Sequence, residues 1–155
     1  MCFYEAARAI AGLVIGRKPR RVSVRHKESQ IAQGWSAHMI TLGGQYDVWD
    51  EVLLILAGPF AEARSRKRGV ATLLRGTRRE DYLEAEKWLR WLVDHGFTND
   101  LRATGLRAEA EARLFLRTHW HTIETTAEAL RARGVLEAHE VAEIFRNSAT
   151  TTDRW

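Results

Sequence analysis

Cysteine and proline are scarce in this sequence, and long apolar runs are missing. Of its 155 residues, one is cysteine and two are proline. A lone cysteine excludes an internal disulfide and favours a reducing compartment, so the sequence predicts a cytoplasmic protein. The longest apolar runs, AIAGLVIG (9–16) and VLLILAG (52–58), fall far short of the roughly 20 residues that span a bilayer. No membrane span is therefore predicted, and the basic RKPRR that follows the first run argues against a signal peptide.

Charged residues are plentiful but unevenly distributed. Hydrophobic residues make up 45% and charged residues 28% of the chain, which is typical of one folded domain. Residues 1–79 carry 14 Lys/Arg and 6 Asp/Glu, whereas residues 80–155 carry 10 and 14. Two basic clusters, 17–27 and 64–68, favour an anionic partner such as nucleic acid or an acidic surface. Nucleic acid is the least favoured partner, because neither cluster contains the aromatic residues that stack on bases.

Hydrophobic periodicity predicts a mainly helical chain with a small sheet. Apolar residues at spacings of three and four indicate a first helix from Phe3 to Gly16. Two strands are predicted at RRVSVRH (20–26) and WSAHMITL (35–42), and we expect them to pair. Further helices are predicted over 47–67, 79–96, 105–133 and 137–146. Pro59 lies inside the first of these and predicts a kink or a fresh helix start near Gly58.

The first helix carries the spacing of a zinc-peptidase motif without its metal ligands. In H-E-x-x-H, two histidines one helical turn apart bind zinc, and the glutamate between them activates the bound water. Here Glu5 is flanked by Tyr4 and Arg8. A guanidinium has no lone pair to give, and a neutral phenol is a poor ligand. Taken alone, this stretch is typical of an ordinary helix with a Glu5–Arg8 pair.

Six segments in order extend the comparison beyond that motif. They are YEAARAIAGLVIGR, RRVSV with GWSAHMITL, ILAGPFAEA, GTRREDYLEA, LVDHGFTNDL and ALRARGVLEAHEVAEIF. Together they resemble the peptidase domain of the FtsH-type ATP-dependent zinc metalloproteases, from about residue 3 to residue 146. The resemblance implies an α+β, mainly α fold: a helical zinc-peptidase-like domain with a two- or three-stranded sheet after the first helix. We predict a domain over 1–147, and the polar stretch SATTTDRW predicts a flexible tail over 148–155.

The resemblance also assigns site residues. Glu5 falls at the general-base position and Asp81 at the position of the third zinc ligand, whereas Tyr4 and Arg8 replace the two histidines. With two of three ligands replaced, no cofactor is expected. Zinc is expected only if the chain uses an unfamiliar ligand set. Two carboxylates left facing each other repel. We therefore hypothesise that Arg8 pairs with Asp81, Glu5 or both in place of the metal.

Three functions follow, in order of preference. The first is a catalytically inactive peptidase homologue that binds a protein or peptide or assembles with further copies, since FtsH-type domains form rings. The second is an active zinc metallopeptidase using Glu5, Asp81 and a distant histidine. His119 and His121 do not make such a pair, because residues i and i+2 of a helix point about 200° apart. The third is a basic adaptor that binds nucleic acid or an acidic surface through 17–27 and 64–68.

Overall fold

A computed structural model describes residues 1–24 and 45–152. Within these ranges the chain forms six helices and two short strands. In chain order they are α1 (Cys2–Val14), β1 (Arg21–Ser23), α2 (Gln45–Ser65), α3 (Val70–Arg75), α4 (Arg79–Asp94), α5 (Leu101–Arg133), β2 (Val135–Glu137) and α6 (Ala138–Thr152). The predicted α+β, mainly α class is confirmed, with a two-stranded antiparallel sheet.

The sheet joins distant parts of the chain. Val22 of β1 faces Leu136 of β2 in an antiparallel register, and both side chains are buried. The strand predicted over 20–26 is confirmed in its central residues, and the strand predicted over 35–42 lies outside the described residues. The sequence did not predict β2, because three residues are too few to show a two-residue alternation.

Of the predicted kink or fresh helix start near Gly58, the fresh start is wrong, because helix α2 runs through Pro59 without interruption. A proline inside a helix removes one backbone hydrogen bond. Here Pro59 is fully buried, and α2 packs against α1, α4 and α5. Burial on three sides stabilises the helix enough to tolerate the missing bond, which local sequence does not indicate.

Several helix ends match the predicted stops. At Gly16 and Gly96 the backbone turns into the left-handed region, with φ of 79° and 75°. The next residue then donates its N–H back to the last turn, as in Phe97 N to Leu92 O at 2.9 Å. Helix α2 ends in the same way at Lys67, where φ is 51° although the residue is not glycine.

The C-terminal prediction needs correction. Helix α6 does not end at 146 but continues to Thr152, so residues 148–152 of the predicted tail are helical. The stretch lacks apolar periodicity, yet it contains no glycine or proline that would end a helix. The short helix α3 was not predicted at all, and α5 begins at Leu101, earlier than the predicted residue 105.

Small side chains bring the core helices close together. Helix α1 buries four alanines with 0–2% exposure: Ala6, Ala7, Ala9 and Ala11. It packs against α2 and α5, whose apolar residues complete one continuous core. None of the helices in the described ranges is long and apolar enough to cross a membrane. The close contact between α1 and α2 positions the polar residues described next.

Candidate functional site

The candidate site lies where α1, α2 and the start of α4 meet. Tyr4 and Arg8 are four residues apart on α1, so they project from the same side of the helix. Asp81 lies in the first turn of α4, separated from Tyr4 by 77 positions in the chain. The Tyr4 hydroxyl donates a hydrogen bond to Asp81 Oδ1 at 2.9 Å. Two of the three sequence positions that the resemblance assigns to zinc ligands therefore lie in direct contact.

Arg8 joins this pair through the same hydroxyl. Its Nη1 donates to the Tyr4 oxygen at 3.4 Å, a long hydrogen bond. The phenol oxygen thus accepts from Arg8 while its proton points to Asp81. The hypothesis that Arg8 pairs directly with a carboxylate stays a prediction. Its charge nevertheless acts on Asp81, since it offsets part of the rise that burial causes in the pKa of that carboxyl.

The Tyr4 ring needs a glycine beneath it. A Cβ added to Gly58 of α2 would lie 2.6 Å from two ring carbons of Tyr4. Real carbon contacts are not that short, so only a residue without a side chain fits while the ring keeps its place. Gly58 belongs to the ILAGPFAEA segment, but its role as the platform for Tyr4 was not predicted.

Arg78 lies over the Tyr4 ring. Its Cζ lies 3.9 Å from the ring centre, a cation–π distance. Its Nε donates to Glu62 Oε2 at 2.7 Å, and Arg66 contacts the other Glu62 oxygen at 2.7 Å. Glu62 is only 3% exposed, so each of its oxygens is matched by a guanidinium. Neither Arg78 nor Glu62 was singled out from the sequence, because no spacing links them to the motif helix.

Burial dominates the titration of the central pair. It raises the pKa of Tyr4 far above its ordinary range, so the phenol keeps its proton at neutral pH. Burial also raises the pKa of Asp81, and the hydrogen bond from Tyr4 and the charges of Arg8 and Arg78 offset this only in part. The arrangement is therefore a protonated phenol held against a partly buried carboxyl group.

Glu5, the predicted general base, is also buried, with 6% of its surface exposed. It follows Tyr4 on α1 and therefore projects about 100° around the helix from it. That Glu5 and Asp81 face each other stays a prediction. The contact that the structure records for Asp81 is with the residue at the first histidine position.

These residues do not fit the zinc site that the resemblance implies. The two positions that should give imidazole nitrogens hold a protonated phenol and a guanidinium, neither of which is a zinc ligand at neutral pH. Across residues 1–24 and 45–152, no three His, Cys, Asp or Glu side chains are grouped so that they could hold a metal ion. We therefore derive no metal-dependent step for this chain.

Two histidines in the described ranges, His95 and His119, pack against aromatic side chains. His119 and His121 both lie on α5, so the prediction that they are helical is confirmed. His119 packs against Phe115 at 5.1 Å, and burial lowers its pKa. His95 stacks on Trp91 at 4.0 Å between ring centres. His26 and His38 lie outside the described residues.

Comparisons with known proteins do not assign the chain to a family. No protein-family model matches the chain, and a search of curated proteins gives no match. The resemblance to FtsH-type peptidase domains thus stays a prediction that depends on the six segments quoted above.

Proposed function

We propose that this chain is a non-catalytic relative of the FtsH-type peptidase domain that binds a protein or peptide segment without cleaving it. The observation that carries the proposal is the 2.9 Å hydrogen bond from Tyr4 to Asp81. The resemblance expects these two positions to share a zinc ion, and here a hydrogen bond joins them. The resemblance places these residues, 77 positions apart in the chain, at one site, and their contact supports it.

An apolar groove next to this cluster supports binding of a peptide. It has a volume of about 480 Å³ and is lined by residues of α2, α3, α4 and α5. Tyr82, the neighbour of Asp81, lines it with 46% of its surface exposed, and Leu106 lines it with 59% exposed. Exposed apolar surface of this kind is typical of sites for partner segments. Glu86 and Arg102 supply polar groups at the groove.

Restoring the metal ligands tests the proposed relationship to the FtsH-type peptidase domain. The double variant Tyr4→His with Arg8→His would rebuild H-E-x-x-H beside Asp81. Since a zinc site needs three such ligands in place, we expect the double variant to retain about one zinc per chain after dialysis. Adding Asp81→Ala should remove that zinc. The measurement is elemental analysis, with the natural chain as the reference.

The outcomes separate the hypotheses. Zinc in the double variant but not in the natural chain supports an inactive homologue. No zinc in a folded double variant would refute the resemblance at the site. Stoichiometric zinc in the natural chain, with cleavage of an unfolded protein that a chelator stops, would favour the active metallopeptidase instead.

The groove is tested separately with a labelled unfolded protein, reduced and carboxymethylated α-lactalbumin, by fluorescence anisotropy. Leu106→Asp should weaken binding at least about tenfold, because a buried charge opposes an apolar contact. Leu114→Asp is the matched control, since Leu114 lies on the same helix with 54% exposure but does not line the groove. Equal losses in the two variants would argue against a peptide site there. Sedimentation of the natural chain and of Leu106→Asp shows whether the chain self-associates and whether the groove is needed for it.

A further inference from the structure

A second cavity, of about 580 Å³, lies where the end of α2 and the start of α3 meet the middle of α5. Four of the described residues that line it are arginines, and none of those residues is acidic: Arg64, Arg68, Arg113 and Arg117. Phe60 and Leu116 contribute buried apolar surface to the same cavity. The cavity thus combines concentrated positive charge with an apolar floor.

Aromatic rings hold two of the four guanidinium groups in place. The Cζ of Arg64 lies 4.0 Å from the ring centre of Trp120, and the Cζ of Arg113 lies 5.3 Å from that of Phe60. Stacking restrains the plane of a guanidinium and leaves its N–H edges available to an anion. Arg113 also pairs with Glu109 at 3.0 Å, which offsets part of its charge.

The other two arginines supply unbalanced charge. Neither Arg68 nor Arg117 has an ion-pair partner among the residues that the structure describes. Arg68 follows Lys67, whose φ of 51° costs energy for a residue with a Cβ. This turn lets Arg68 N–H donate to Ala63 O at 2.9 Å and brings the chain back to the cavity.

We propose that this cavity binds a small ligand that carries a phosphate or carboxylate group on an apolar body. Several guanidinium groups around one space suit the oxygens of such an anion, with charge-assisted hydrogen bonds. The floor suits an apolar group, and the volume is in the range of small-molecule sites. A nucleic-acid strand would instead require charge along an extended track with rings open for stacking. The inference uses none of the residues of the Tyr4–Asp81 cluster, so it is independent of the proposed function.

Isothermal titration calorimetry of the full chain with phenyl phosphate, benzoate and inorganic phosphate tests this site. We expect phenyl phosphate to bind one to one, about tenfold more tightly than inorganic phosphate, because its ring is buried on the floor. The order of phenyl phosphate and benzoate shows whether phosphate or carboxylate is the preferred anion. Arg68→Gln and Arg117→Gln should each weaken phenyl phosphate about tenfold, the effect of one charge-assisted hydrogen bond.

Two control variants separate a built site from general attraction. Arg131→Gln removes the same charge from an exposed position on the same helix outside the cavity and should change the affinity less than about twofold. Ala110→Leu keeps every charge but fills part of the cavity. It should weaken phenyl phosphate about tenfold and leave inorganic phosphate unchanged.

Three results would overturn the proposal. One is the absence of saturable binding of phenyl phosphate and benzoate at low salt. Another is an equal loss of affinity in Arg131→Gln and Arg117→Gln. The third is binding of a thymidine oligonucleotide that phenyl phosphate does not displace, which would assign the arginines to a nucleic-acid surface.

Discussion

Two regions of the molecule use the same helix for opposite purposes. Gly58 and Glu62 lie on one side of α2, where they contact Tyr4 and Arg78. Phe60 and Arg64 are displaced by two residues, about 200° around the helix, and line the arginine cavity. In the first region Glu62 meets two guanidinium groups, and Asp81 accepts a hydrogen bond from Tyr4. In the second, positive charges surround an open space.

The comparison separates polar groups that stabilise the fold from polar groups that we propose bind a ligand. Inside the Tyr4–Asp81 cluster, removing one member leaves its partner buried without a match, so the cost falls on stability. In the cavity, the arginines are largely exposed to water, so removing one costs little stability. Its effect should instead appear in binding of an anion. The predictions below test that division.

The largest expected loss of stability comes from Glu62→Gln. The change removes the negative charge that Arg66 and Arg78 share at 2.7 Å each, at a position that is 3% exposed. We expect about 2–3 kcal/mol less stability in urea unfolding, because both arginines lose their partner while Arg78 stays against the Tyr4 ring. Glu111→Gln breaks an exposed pair with Arg107 and should cost less than about 0.5 kcal/mol. Similar losses of stability in the two variants would mean that the buried ion pairs of Glu62 contribute no more than an exposed pair.

Gly58→Ala should cost about 1 kcal/mol. A new Cβ would lie 2.6 Å from the Tyr4 ring, and overpacking of about 1–3 kcal/mol exceeds the gain in helix propensity of about 1 kcal/mol. In a Tyr4→Leu background the clash disappears, so the same change should become stabilising. A double-mutant cycle in urea measures this reversal of sign. A cost that is unchanged in both backgrounds would mean that the ring does not need the glycine.

Asp81→Asn tests the electrostatics of the cluster through pH. The pKa of Asp81 is raised above its ordinary value of 3.8 in the folded chain, chiefly by burial. A raised pKa means that the folded state holds the proton more tightly, so this contribution to stability is present at low pH and lost as pH rises through the folded pKa. The variant lacks this loss. We therefore expect it to gain stability relative to the natural chain as the pH of urea unfolding increases from about 3 to 7.

Glu140→Gln supplies the opposite sign. A hydrogen bond from the backbone N–H of Glu137 and the contact with Arg133 lower the pKa of Glu140. Its contribution to stability is therefore present at neutral pH and lost as pH falls through the folded pKa. The variant should therefore become less stable relative to the natural chain as the pH increases. Parallel curves for the two variants would contradict the assigned environment of at least one of the two carboxyl groups.

The smallest expected effect is a gain at the edge of the arginine cavity. Lys67 has φ of 51°, a conformation that glycine adopts without the steric cost of a Cβ. Lys67→Gly should therefore raise stability by about 0.5–1 kcal/mol in urea unfolding. Lys67→Ala removes the same charge and keeps the Cβ, so it should give no gain. If alanine stabilises the chain as much as glycine, charge repulsion and not backbone strain is the cause.

The segments that local sequence predicts well are those with strong local causes. Amphipathic spacing over 3–16 and 79–96 was enough to locate α1 and α4, and glycines at 16, 96 and 134 to locate helix ends. Local sequence was insufficient at Pro59, where packing on three sides outweighs the lost hydrogen bond, and at β2, where pairing with β1 makes a strand of three residues. In both cases the deciding interactions come from residues distant in the chain.

For the candidate site, the sequence by itself determined the chemical identities: a phenol and a guanidinium stand one helical turn apart where zinc ligands would be needed. Through the resemblance it also singled out Asp81 as their neighbour. Only the tertiary structure decided that Tyr4 donates to Asp81, lies against Gly58 and is covered by Arg78. It also decided that Arg64 and Arg68 of the basic cluster line a cavity with Arg113 and Arg117. The physical reason is that spacing determines which residues share a helix face, whereas burial and charge balance depend on which faces meet.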